Sequence, residues 1–194
     1  MNAFNHFTRI ASAALVAAGL LAAPLTASAS TTLYDEPGDA QQLSAESYGF
    51  KRGTLVSFQT AKAPGSIVIV SKSNKLFYVL GDGLAIQFRV ATGRKGFGWS
   101  GSHKVSMKVK WPSWNPPAEM RQRHPELPTF MAGGVKNPLG ARAMYLGGSI
   151  YRIHGTNEPS SIGKHASSGC IRMLNADVEE LYQLVKIGTE VTVL

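Results

Sequence analysis

SIVIVSKSNKLFYVLGDGLAIQFRVAT, residues 66–92, holds three short runs dense in β-branched and aromatic residues, at 67–70, 75–80 and 85–92. Side chains of this kind suit a pleated, half-buried surface. Between the runs lie Lys72-Ser73-Asn74 and Gly81-Asp82-Gly83. Both are tight-turn sequences, because Asn, Asp and Gly accept the backbone angles that a short reversal needs. The stretch predicts a β-meander, and with it a mainly β domain.

Downstream, residues 93–140 are dense in Gly, Pro, Trp and Met, with one expected strand at 104–110. Long loops inside a compact domain are usually lids or binding walls, so Trp111, Trp114 and Met120 are candidates to line a groove, or to serve structure alone. Runs at 143–146 and 150–153 read as strands leading to His154. A helix is expected over 176–186, with Asn175 as N-cap and Val178, Leu181, Leu184 and Val185 on its apolar face. Gly188 stops it, and 190–194 reads as a final strand.

Upstream, residues 30–63 are polar and without periodicity and read as a leader or linker packed loosely on the domain. The first 29 residues have one charge, Arg9, then an apolar run ending at Pro24 and the small-x-small pattern Ala27-Ser28-Ala29. That is the pattern of a signal peptide cut after Ala29, too short in its apolar run to span a bilayer. No cysteine lies near the cut to carry a lipid. The expected organisation is therefore 1–29 signal peptide, 30–63 leader and 64–194 one catalytic domain, secreted to a periplasm or cell wall without a membrane anchor. The formal charge of +8 is spread over isolated Lys and Arg. It favours an anionic neighbour such as a wall polymer over nucleic-acid readout.

An exported protein that used cysteine for stability would hold an even number in disulfides. This chain has one, Cys170. It is flanked by Gly169, which lets backbone approach a substrate closely, and lies sixteen residues after His154 in IHGTN. A thiol is a weak nucleophile near neutrality until a base takes its proton, and histidine is the base best matched to that task. Backbone N–H groups at Gly169 would face a developing oxyanion, and Arg172 would clamp a carboxylate. A single histidine is more often structural, and an arginine more often solvated. The combination of both with a Gly-flanked lone cysteine points to covalent acyl transfer.

IHGTN (153–157), SSGCIRM (167–173), NADVEELY (175–182) and GTEVTVL (188–194) together resemble the L,D-transpeptidase catalytic domain, the YkuD or ErfK-type domain. SIVIVSKSNKLFYVL, FRVATGRKG, WPSWNPPAEM and VKNPLGARAMYLGG match in the same order, so the resemblance runs from about residue 65 to 194. It implies a β-sandwich-like fold with one short helix near the C-terminus. It also implies a wall enzyme of peptidoglycan biosynthesis and cell shape. Cys170 would attack the diaminopimelate carbonyl of a tetrapeptide stem, release D-Ala and pass the acyl group to an amine. The acceptor would be another stem or an outer-membrane or wall-attached protein. His154 would be general acid and base, oriented by the Gly155 carbonyl, with backbone N–H groups around Gly169 and Cys170 holding the oxyanion. Arg172, Ser168, Asn157 and Trp114 would bind substrate. No metal and no organic cofactor is implied. Two departures stand out: Ser168 where the family's Ser-His-Gly-Cys has histidine, and Trp99-Ser100-Gly101 where a Thr-Pro-Thr-Gly turn is usual. His165 is a possible substitute for the missing histidine, though its place in an outward loop favours solvent.

Three other readings remain open at this point. Water could resolve the thioester, giving a carboxypeptidase or amidase. The chain could be an inactive wall-binding module. A metal held by Cys170, His154 and His165 with His103 or His124 is disfavoured, since no Cys or His pair has the short spacing of structural zinc sites.

Overall fold

A computed structural model describes residues 43–194. The expected signal peptide and residues 30–42 lie outside the described residues. The elements are β1 (Thr54–Ser57), β2 (Ile67–Val70), β3 (Lys75–Gly81), β4 (Leu84–Arg89), β5 (Thr92–Gly93), β6 (Gly101–Lys110), α1 (Ala118–Arg123), β7 (Arg142–Leu146), β8 (Arg152–His154), β9 (His165–Ser167), β10 (Ile171–Arg172), α2 (Asn175–Leu184) and β11 (Glu190–Val193). Nine strands join in the order β1-β4-β3-β2-β11-β6-β7-β8-β10, and β5 pairs with β9 in a separate ribbon. The mainly β expectation holds.

The meander forms where the sequence predicts it. Asn74 adopts a left-handed φ of 52° after β2, and Gly81, Asp82 and Gly83 take φ of 103°, 50° and 73° between β3 and β4. Only small or Asn/Asp residues adopt such angles at little cost. Alternation then splits the side chains between two faces. Ile67, Ile69, Leu76, Ile86 and Phe88 enter the main core, while Val68, Phe77, Val79 and Ala85 form a smaller cluster on the other side.

The last strand is central. β11 lies parallel to β2 and antiparallel to the first half of β6, so the final residues join the meander to the strands that carry His154 and Cys170. α2 lays Val178 and Leu181 into the same core as Met144, Ile153, Ile171 and Met173.

Several expectations need correction. Residues 43–63 are part of the folded domain and not a loose leader: β1 pairs with β4, and Phe50 is 1% exposed against Tyr78 and Phe88. The Lys51 and Arg52 N–H groups donate to the Glu180 carboxylate, and Arg52 pairs with Asp177 at 2.8 Å, which fastens this segment to α2. β4 ends at Arg89 rather than at Thr92, because Ala91 turns away to exchange backbone hydrogen bonds with Arg172. The strand expected from Ile150 begins at Arg152, since Leu146–Ser149 closes a turn that leaves Ile150 75% exposed. A short helix, α1, follows Pro116-Pro117 within the expected loop. α2 stops at Leu184, and Asn175 does not cap it; the side chain is used elsewhere.

Candidate active site

β8 and β10 run parallel side by side, with Ile153 opposite Ile171 and His154 opposite Arg172. The two isoleucines point into the core and are buried. By alternation, Arg152, His154 and Arg172 share the opposite face, at the end of the strand that Cys170 opens. The Arg152 Nη1 lies 4.0 Å from the Cys170 sulfur. Cys170 itself is half-buried.

His154 is 4% exposed. Its Nδ1 sits 2.6 Å from the Gly155 carbonyl oxygen. A carbonyl only accepts, so Nδ1 carries the proton and Nε2 keeps a free lone pair. Burial lowers the imidazole pKa to about 3; the Gly155 carbonyl, and to a lesser degree that of Leu139, oppose this by favouring the charged ring, and the nearby Arg172 and Arg152 charges add to the lowering. The ring is therefore a neutral base at any ordinary pH.

Asn175 builds the turn that presents the Gly155 carbonyl. Its Oδ1 accepts from the Ala141 N–H at 3.0 Å and the Thr156 N–H at 3.1 Å. The fit is so close that a Cβ on either Gly140 or Gly155 would meet that oxygen at 2.2 Å. The glycine of the His-Gly-Thr motif is thus required by packing.

The turn before Cys170 is held on three sides. Gly169 adopts φ of 108°, and a Cβ there would meet the Tyr151 ring at 2.5 Å. The Gly169 carbonyl accepts from the Trp99 indole N–H at 2.7 Å, and Trp99 stacks flat on Tyr151, centroids 4.3 Å apart. The Gly169 N–H, expected to face an oxyanion, donates instead to Ser167 Oγ at 3.1 Å. The next N–H along, that of Cys170, meets no protein acceptor among the described residues.

The expected substrate-binding residues separate in space. Ser168 Oγ accepts from Arg94 Nη1 at 3.2 Å, so a guanidinium stands beside the position where the family pattern has histidine. Arg172 pairs with the exposed Glu158 at 3.1 Å. Asn157 spends its amide on the Lys136 carbonyl, tying two loops together. Trp114 pairs through its backbone with Met131 within the 111–140 loop, and no hydrogen bond or ring contact joins it to Cys170 or His154 among the described residues. His165 is exposed and directs Nδ1 at Thr92 Oγ1, 2.9 Å away, rather than at the thiol. The described residues contain no group of three or more His, Cys, Asp or Glu able to hold a metal. A cleft of about 540 Å³ lined by Lys51, Arg52, Arg89, Pro159, Ile162 and Asp177 includes neither Cys170 nor His154 and is set apart from this chemistry.

Arg152, Trp99, Tyr151 and Arg94 were not singled out in the sequence as site residues. Arg152 was within reach, since it lies two residues before His154 on one strand and must share its face. Trp99 reaches Gly169 across seventy positions, and no local pattern reports such a contact.

Comparison with known proteins identifies the family. The family model of the L,D-transpeptidase catalytic domain, YkuD, matches residues 65–193, more than half of the chain. The chain belongs to this family. Among relatives, the Escherichia coli (strain K12) protein named probable L,D-transpeptidase YbiS is 35% identical over 134 residues, covering 64% of this chain and 43% of that protein. Probable L,D-transpeptidase YcfS of the same organism is 40% identical over 96 residues, covering 46% and 30%. The chain thus spans less than half the length of these relatives. The fold is shared with the crystal structure of L,D-transpeptidase 3 from Mycobacterium tuberculosis, TM-score 0.53 at 16% identity over 66% of this chain and 60% of that one. It is shared too with the catalytic domain of the E. faecium L,D-transpeptidase, TM-score 0.53 at 17% identity over 70% and 100%. No helix of the described residues is long and apolar enough to cross a membrane.

Proposed function

We propose that this family member is a secreted peptidoglycan L,D-transpeptidase in which Cys170 is the nucleophile and His154 the base. The observation that carries the reading is the locked imidazole. Nδ1 is committed to the Gly155 carbonyl, which leaves Nε2 the unprotonated nitrogen, and the ring lies in strand register beside the segment that Cys170 opens. Nε2 takes the thiol proton as sulfur attacks the diaminopimelate carbonyl of a tetrapeptide stem. The charge that develops on that oxygen is met by the Cys170 N–H. The imidazolium returns its proton to the departing D-Ala nitrogen, leaving a thioester. An amine acceptor, on a second stem or a wall-attached protein, then loses a proton to His154 as it displaces the thiolate.

The low proton affinity of His154 favours a neutral thiol–imidazole resting pair over a preformed ion pair. Arg152, 4.0 Å from sulfur, favours negative charge there when the proton leaves. Arg94, Arg152 and Arg172 make this face cationic, which suits stem peptides bearing free carboxylates. No metal or organic cofactor enters the scheme.

The test is to incubate the purified protein and its Cys170→Ala variant with disaccharide-tetrapeptide and follow the products by mass spectrometry. A dimer lacking one D-Ala, absent with the variant, is the expected result. Tripeptide alone would assign hydrolysis instead, and the absence of any Cys170-dependent product would refute the reading.

A further inference from the structure

We propose that Trp99 is a positioning residue for the reaction: its indole N–H fixes the Gly169–Cys170 peptide so that the Cys170 N–H faces the oxyanion. The proposal rests on the function assigned above to Cys170. In a trans peptide the C=O and N–H point in opposite directions from one plane. Holding the Gly169 oxygen at 2.7 Å from the indole nitrogen therefore aims the Cys170 N–H away from Trp99. That N–H is the donor left over, because the neighbouring one at Gly169 is taken by Ser167 Oγ.

The indole is itself fixed. One face lies on Tyr151 with an interplanar angle of 3°, and His103 meets it edge-on at 5.3 Å while its Nδ1 stands 3.0 Å from the Gly147 carbonyl. Tyr151 also occupies the space that a side chain at position 169 would need. The Gly169–Cys170 peptide plane is thus held by an indole donor and a ring wall, while the serine oxygen fixes the peptide before it. A preorganised donor stabilises developing charge because nothing has to reorient as the reaction proceeds. Trp99 touches no reacting atom, so its effect is exerted wholly through Gly169 and Cys170. The Trp99-Ser100-Gly101 departure from the usual family turn accordingly bears on catalysis, where the sequence alone suggested a structural difference.

The test compares two reactions of the same thiol in the full chain. Acylation by a carbapenem or by disaccharide-tetrapeptide builds negative charge on a carbonyl oxygen, whereas displacement of iodide from iodoacetamide builds none there. Trp99→Phe keeps the stacked ring and removes the donor. Acylation is expected to slow about tenfold, a fraction of what losing an oxyanion donor outright costs, in kcat rather than KM, with the iodoacetamide rate unchanged. Should Trp99→Phe disturb folding, benzothienylalanine at position 99, which has the shape of tryptophan with sulfur in place of N–H, gives the same comparison. Undiminished acylation in either variant, or an equal fall in both reactions, overturns the proposal. A wild-type protein that is alkylated but never acylated would instead overturn the functional reading and this inference with it.

Discussion

His154→Gln should make the domain less sensitive to acid, because a buried neutral histidine is a liability below its unfolded pKa. The imidazole titrates at about 3 when folded and near 6.5 when free. Its folded value is depressed, so its contribution is fully present above pH 6.5 and is lost as pH falls toward 3, where only the unfolded chain binds the proton. Each unit of that window is worth 1.36 kcal/mol. Between pH 7 and 5 this one group should remove about 2 kcal/mol of stability, a large part of a typical domain's 5–15. Glu46 and Glu190, both lowered from 4.5, also begin to weaken the fold near pH 5 as the unfolded chain binds protons, but equally in both proteins, so the comparison cancels them. Gln has similar length and retains an amide N–H for the Gly155 carbonyl. Urea unfolding of wild type and variant at both pH values gives the quantity directly: the wild type should lose about 2 kcal/mol more than His154→Gln on acidification. Equal losses would show that the ring is not held neutral, and the picture of a ready base would fall with it.

Arg152→Gln should slow iodoacetamide alkylation of Cys170 at pH 7 by about tenfold, since a guanidinium 4.0 Å from sulfur favours the anion; an unchanged rate would leave Arg152 without an electrostatic role. The same substitution should raise the His154 pKa, visible as a shift in its imidazole NMR titration, because the Arg152 charge helps to lower it. Asn175→Ala strands the Ala141 and Thr156 N–H groups, and should cost about 2–6 kcal/mol in urea unfolding at roughly 1–3 kcal/mol for each unmet donor. It should also slow acyl transfer more than alkylation, which needs no proton return to a leaving group. Phe50→Ala should cost about 3–5 kcal/mol, as expected for a large ring removed from a full core; a loss below 1 would return residues 43–63 to the status of a loose leader.

The meander was legible because its signals are local. Runs of β-branched residues and the turn residues Asn74 and Gly81-Asp82-Gly83 act on their immediate neighbours, and the strands formed within a residue of expectation except at the end of β4, which stops three residues early. β1 was not legible, since Thr54–Ser57 has too few apolar side chains to announce a strand and forms one by pairing with the exposed edge of β4. The two-residue ribbon of β5 and β9 is set by contacts across seventy positions and has no sequence period at all. At the candidate site, His154, Gly155 and Cys170 stand out in the sequence by residue type and motif. Asn175 was read for the role such a residue usually takes at a helix start, yet its oxygen binds two loop N–H groups because Gly140 and Gly155 leave room for it there. Gly169 was recognised as special, but which of two adjacent N–H groups stayed free depended on a serine hydroxyl two residues away.

The replacement of the family's histidine by Ser168 makes physical sense in the field of this particular site. Of the three arginines on the face, Arg172 is offset by Glu158, while Arg94 rests on the Phe97 ring at 4.2 Å and donates to Ser168. Arg152 has no acidic partner among the described residues; it faces the Tyr145 ring at 5.0 Å, and its Nε is buried without a hydrogen bond. A fourth cationic group at position 168 would add repulsion where two guanidinium charges already depress the His154 pKa. A hydroxyl adds none and accepts from Arg94, so positive charge remains close to the nucleophile but on a residue that does not titrate. His154, whose titration lies far below neutrality, stays in its basic form beside it. In the proposed reaction the base is thus kept neutral, and the guanidinium 4.0 Å from sulfur keeps its charge as the anion develops.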